Sequence, residues 1–131
     1  MNFAYTIVYV PDVAAALAFL DRAFGLSTRF LHESGAYGEV ETGAGGARLA
    51  FVDHATARDS LQHDYVAADA SPRPLGMEIG FTVADVQAAY DRAVAAGAQP
   101  LAAPVAKPWG QVVAYVRCPD GCLVELCTAL G

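Results

Sequence analysis

The chain has 131 residues, 55% of them hydrophobic, with a formal net charge of −6 and a sequence pI near 4.8. A chain of this length fits one domain that buries roughly two-thirds of its unfolded surface. The acidic balance excludes nucleic acid and anionic membranes as partners, because phosphate binding needs a basic face. No apolar run reaches the ~18–20 residues of a membrane span, and "MNFAYTIVYVPD" lacks the basic start of a signal peptide. Cys118, Cys122 and Cys127 are an odd, clustered set rather than a disulfide framework. Free thiols and a reducing cytoplasm are therefore expected.

In chain order, "FAYTIVYV" (3–10) is aromatic and β-branched, as a strand prefers. Pro11 stops it and Asp12 is suited to cap a helix whose stripe is Val13, Leu17, Leu20 and Phe24, with Gly25 at its end. "LSTRFLHE" and "AYGEVET" read as strands, "GAGGA" as a turn, and "RLAFVDH" as a fourth strand ending on His54. Residues 53–76 are polar and without clear periodicity, so a linker with a partly ordered flap is expected there. The second half opens with "EIGFTV", a capping Asp85, and a stripe of Val86, Tyr90, Ala93 and Val94 ending at Gly97. "QPLAAPVA" is a broken strand or a loop, "GQVVAYVRC" a strand, "PDG" a turn and "CLVELCT" the last strand.

The halves repeat. Val10-x-Asp12-Val13 matches Val83-x-Asp85-Val86 at an offset of 73 (85 minus 12), Tyr37-Gly38 matches Trp109-Gly110 at 72, and Gly46 matches Gly121 at 75. The expected fold is α+β: two tandem β-α-β-β-β modules, 3–54 and 77–129, joined by a linker over 55–76 within a single domain. Each module presents one sheet face to its helix and leaves the other free. Pairing of the free faces predicts a curled, partly closed barrel with a central cleft, formed within one chain or between two.

"VPDVAAALAFLDRAFGL", "TVADVQAAYDRAVAAGA", "KPWGQVVAYVRCPDG" and the closing "LVEL" resemble the vicinal oxygen chelate superfamily. That superfamily includes glyoxalase I, extradiol dioxygenases and bleomycin-resistance proteins, and the resemblance covers nearly the whole chain. It implies a divalent-metal site with one ligand from the first and one from the last strand of each module. The corresponding positions are Tyr5, Ala50, Glu78 and Glu125. Alanine cannot coordinate, and a neutral phenol (reference pKa ~10) is a poor divalent ligand. His32, His54 and His63 show no paired ligand spacing. No metal cofactor is favoured; Glu78 and Glu125 with water would hold Mg²⁺ or Mn²⁺ only weakly.

Strand alternation places Tyr5, Tyr9, Glu78, Tyr115, Glu125 and Cys127 on the cleft side, with Trp109 at its end and Glu39 and Glu41 opposite in the first module. For Glu39 and Glu41 a solvated strand face is the competing reading. Arg117 is expected to pair with Glu125 or another carboxylate. An aromatic and acidic lining suits a planar or cationic guest. This agrees with the metal-free bleomycin-resistance branch, where the resemblance implies a homodimer that sequesters an aromatic, cationic drug. The expected function is metal-independent binding of such a small molecule at Tyr5, Tyr9, Glu78, Trp109, Tyr115 and Glu125. The alternative is a metal-dependent lactoylglutathione-lyase-like isomerase or a dioxygenase, in which Glu78 and Glu125 move protons.

Overall fold

The computed structural model describes residues 1–43 and 46–131. The centre of the expected "GAGGA" turn, Ala44 and Gly45, lies outside the described residues. The first module comprises β1 (Tyr5–Val10), α1 (Val13–Phe24), β2 (Thr28–Leu31), β3 (Tyr37–Val40) and β4 (Arg48–Asp53). The connector holds α2 (His54–Leu61) and a 3-10 turn, Ala68–Ala70. The second module is β5 (Ile79–Thr82), α3 (Val86–Ala96), β6 (Gln99–Ala106), β7 (Val112–Arg117) and β8 (Leu123–Cys127). No helix among the described residues is long and apolar enough to cross a membrane.

Both modules build the same sheet. The order is β1-β4-β3-β2 in the first and β5-β8-β7-β6 in the second. In each, the first and last strands pair in parallel and the rest antiparallel. The two sheets share no strand pairing, so they are separate four-stranded sheets and do not close into a barrel.

The helix boundaries follow the capping chemistry. The Asp12 carboxylate accepts from Ala15 N at 3.0 Å, and the Asp85 carboxylate accepts from Ala88 N at 3.0 Å. Gly25 and Gly97 end the two helices in the left-handed region at φ 69° and 117°. Val13, Leu17 and Leu20 of α1 pack on Val10, Val40, Leu49 and Phe51. Val86 and Ala93 of α3 pack on Ala114, Val116, Val124 and Leu126. Phe19 and Ala23 of α1 join this second cluster, so one helix bridges both cores. Arg92 of α3 strengthens the bridge by donating to the Asp21 and Arg22 carbonyls at the C-terminal end of α1. A cation at that end also complements the helix dipole.

Three sequence expectations are resolved or change. "QPLAAPVA" takes the strand alternative, as β6, broken by register shifts between Pro100 and Val105. It lies at the sheet edge, where Pro100 and Pro104 remove no hydrogen bond that a central strand would need. His54 does not end β4; it opens α2, whose cap is the Asp53 carboxylate accepting from Thr56 N at 2.8 Å. The third concerns the internal repeat. Glu39 pairs with Ala50, and Tyr115 pairs with Glu125. The equivalent of Glu39 is thus Tyr115, an offset of 76 (115 minus 39), so Tyr37-Gly38 is not the counterpart of Trp109-Gly110. Gly38 sits under α1, where a Cβ would lie 2.7 Å from Leu17 Cδ1, whereas Gly110 belongs to the turn before β7.

Candidate functional site

With the helices on one side of each sheet, alternation leaves Tyr5, Ile7 and Tyr9, Arg48 and Ala50, and Tyr37 and Glu39 on the opposite face of the first sheet. The second sheet presents Glu78, Gly80 and Thr82, Leu123 and Glu125, and Val113 and Tyr115. The two faces differ in charge.

The second face is acidic. Gly80 lies in register with Glu125, and a Cβ on Gly80 would stand 3.5 Å from Glu125 Oε2. The missing side chain leaves room for the carboxylate to lie over β5 near Glu78. Although Glu78 is exposed, partial desolvation raises its carboxyl above its ordinary range, and the neighbouring Glu125 charge raises it further. The Tyr115 hydroxyl donates to Glu125 Oε1 at 3.1 Å, and desolvation followed by this carboxylate holds its phenol proton on. The Cys127 thiol is pushed up by burial and then by Glu125 and Glu78, so it is no nucleophile. Burial likewise keeps Cys118 protonated and pushes Cys122 up to about 12. All three cysteines are free thiols.

The first face departs from the expected acidic lining. Glu39 is only 4% exposed, and it is neutralised. Tyr37 donates to its Oε2 at 2.7 Å, Arg48 Nη1 lies 3.4 Å from Oε2, and Arg29 Nε lies 3.6 Å from Oε1. Glu41 is exposed and lies outside β3. Two arginines and one carboxylate give this face a net positive charge.

The connector supplies the residues that sequence reasoning missed. Tyr65 packs on Tyr9 with ring centroids 4.9 Å apart, and its hydroxyl pairs with His54 Nδ1 at 2.5 Å. His54 Nε2 stands 2.6 Å from Asp69 Oδ1. The carboxylate fixes the Nε2–H tautomer, so in neutral His54 Nδ1 accepts from Tyr65. Among the described residues Arg117 pairs with no carboxylate, against expectation. Its guanidinium donates to the carbonyls of Ala68, Ser71 and Gly121, which ties the connector to β7. The result is an apolar pocket of about 340 Å³ with Tyr9, Tyr65, Val66, Leu75, Ile79 and Leu123 on its wall, and Glu78 as its one carboxylate.

Tyr5 and Trp109 stand apart from this pocket. Tyr5 is 53% exposed near the start of β1, and Trp109 is 63% exposed in the β6–β7 turn, its Nε1 donating to Gln111 at 2.9 Å. Of the six expected site residues the fold therefore gathers Tyr9, Glu78, Tyr115 and Glu125 about β5 and β8.

The implied divalent-metal site fits these residues poorly. Ala50 is fully buried and has no donor atom, and Glu125 Oε1 already accepts from Tyr115. Among the described residues no three His, Cys, Asp or Glu side chains converge as a metal cluster.

Two β-α-β-β-β modules with matching sheet orders have the architecture of a glyoxalase-type fold. The profile of the Glyoxalase/Bleomycin resistance protein/Dioxygenase superfamily matches residues 2–126, and the chain belongs to that superfamily. A glyoxalase-related enzyme from Fulvimarina pelagi superposes with a TM-score of 0.81 at 24% identity, covering 98% of this chain and 88% of that one. A glyoxalase/bleomycin resistance protein/dioxygenase from Nocardioides gives 0.74 at 19% identity over 99% and 84% of the two chains. A family enzyme from Burkholderia phytofirmans PsJN gives 0.75 at 23% over 99% and 100%. Likeness at these identities establishes the shared fold. No curated protein matches the sequence.

Proposed function

We propose that this chain is a metal-independent binding protein for a small aromatic cation, held against the second sheet. The observation that carries this reading is the Glu78–Glu125 pair. Two carboxylates share one face, and Glu78 is raised first by desolvation and then by its neighbour. A guest ammonium between them would relieve that repulsion while gaining charge-assisted hydrogen bonds. The Tyr9–Tyr65 wall beside Glu78 supplies the apolar surface for the rest of the guest. A planar cationic antibiotic is a guest of this description, and sequestering one is the physiological role we assign. The raised Glu78 also supports a second, enzymatic reading, in which its carboxyl exchanges a proton with a bound substrate.

A thermal-shift screen of arylalkyl ammonium compounds, run without added metal, tests the binding reading. A saturating ligand should raise Tm on the order of 10 °C at a hundredfold excess over Kd. Matched neutral alcohols should give little. Equal shifts from ammonium and alcohol would remove the acidic pair from the site. Turnover of a hit would favour the enzymatic reading.

We further propose that the chain acts as a homodimer. Phe3, Met77, Val105 and Trp109 are all exposed, an apolar load that a second copy would cover. Sedimentation should give the mass of two chains, and a monomer at high micromolar concentration would sink the proposal.

A further inference from the structure

The arginine pair on the first sheet is not used by the cation site, and its geometry is that of a prepared recognition point. Between Thr28 and Phe30 the β2–β3 register shifts, so Arg29 and Phe30 together oppose Glu39. Such a bulge re-aims a side chain. Here it brings Arg29 to Glu39 and sets Phe30 beside Tyr37, ring centroids 6.3 Å apart. From the other side β4 delivers Arg48 to the same carboxylate. Glu39 is buried, yet the two arginine side chains remain 45% and 52% exposed.

Each guanidinium carries five N–H donors. Only Nε of Arg29 and Nη1 of Arg48 approach Glu39, at 3.6 and 3.4 Å, and no other acceptor engages either group among the described residues. These separations are long for closed, bidentate pairing. One carboxylate therefore orients two cations and neutralises one of them. The remaining donors and one unit of positive charge are left on this face, beside the Tyr37 hydroxyl that shares Glu39.

We propose that this cluster is an anion-recognition site that takes the carboxylate or phosphate group of a small aromatic molecule. Planar guanidinium groups match both oxyanions by paired N–H bonds. Phe30, which is exposed, offers the stacking surface next to them. Arg48 of the first module and Glu78 of the second also line one larger groove of about 790 Å³, whose wall includes Phe24 of α1 and Arg92 of α3. A guest bearing an anionic and a cationic group at its two ends would be read by both sheets. The anion assignment does not rest on the cation reading, since the two clusters share no residue.

The test uses the full chain titrated with phenylphosphate, benzoate, inorganic phosphate and benzylammonium, followed by the Nε–H resonances of the arginines. Phenylphosphate or benzoate should shift the Arg29 and Arg48 signals saturably, and whichever binds tighter identifies the oxyanion. Inorganic phosphate alone should bind at least tenfold more weakly than phenylphosphate. Arg29→Gln/Arg48→Gln should lose at least tenfold in affinity, whereas Arg73→Gln, on the exposed connector, should leave it unchanged. Rising salt should weaken the binding. Absence of a saturable shift in the unmodified protein with either aromatic anion overturns the proposal, whatever the stability of the double variant. So does equal affinity in that variant. A response to benzylammonium alone overturns the anion site and leaves the second-sheet reading standing.

Discussion

Gly121→Ala should be the most damaging single-methyl change in the molecule, costing about 3 kcal/mol of stability. Gly121 has φ +90°, a left-handed conformation that costs a side-chain-bearing residue roughly 1–2 kcal/mol. An added Cβ would also stand 2.2 Å from the Ala68 carbonyl oxygen and 2.6 Å from Asp69 N. Both are backbone atoms, so no rotamer change relieves the overlap, and overpacking of this kind typically adds about 1–3 kcal/mol. The Cys118–Cys122 turn cannot retreat cheaply, because it is closed by Gly121 N to Cys118 O and Cys118 N to Cys122 O, each 2.8 Å. The connector must yield instead. Displacing Ala68 breaks the Arg117 tether, and displacing Asp69 withdraws the partner of His54 that holds Tyr65 over Tyr9. Urea unfolding measures the cost, and hydrogen exchange over 62–76 should show the connector losing protection first. An unchanged urea midpoint would mean that the connector does not bear on the second sheet as described.

That dependence shows why some of the site could be read from sequence and some could not. Local signals specified the modules. Asp12 and Asp85 cap the helices, Gly25 and Gly97 end them, and strand alternation sets Val112, Ala114 and Val116 in the α3 core and Tyr115 opposite Glu125. The connector helix has no such signal, because it buries only Ala57 and so needs no apolar stripe. Its start was nevertheless marked, by Asp53 three residues before Thr56. Tyr65 is a lone aromatic in a polar run, and only the His54 and Asp69 contacts give it a place. Glu39 and Glu41 look alike in sequence, two carboxylates at alternate positions of one strand. What separates them is a register shift in the neighbouring strand that delivers Arg29, together with Arg48 arriving from β4. The offset of 76 was hidden for a related reason. β6 has eight residues where β2 has four, so the aromatic-glycine pair before β7 falls in a turn rather than in the strand.

Glu78→Gln/Glu125→Gln should weaken an arylalkyl ammonium ligand about a hundredfold, and Glu78→Gln alone about tenfold. These factors follow from the roughly 1.5–3 kcal/mol carried by a hydrogen bond to a charged group, with 1.4 kcal/mol per factor of ten. The pH dependence has a definite sign. A cation pairs with ionised Glu78, so its affinity should fall as pH drops through the raised Glu78 value, that is, at a higher pH than an ordinary carboxylate would give. Stability should move the other way. A raised folded-state pKa means that the folded chain holds this proton more tightly than the unfolded chain does. The stability this contributes is fully present below the unfolded carboxylate value, ~4.3, and is lost as pH rises through the folded one. Ionised Glu78 thus opposes folding at neutral pH. Glu78→Gln should raise Tm slightly at about pH 7 and leave it unchanged at about pH 4, while ligand affinity drops. A site that spends stability on two neighbouring carboxylates is expected to show this opposition of binding and folding. Full affinity in the double variant, or a lower Tm for Glu78→Gln at neutral pH, would show that the carboxylates are an ordinary polar strand face and not the seat of a cation.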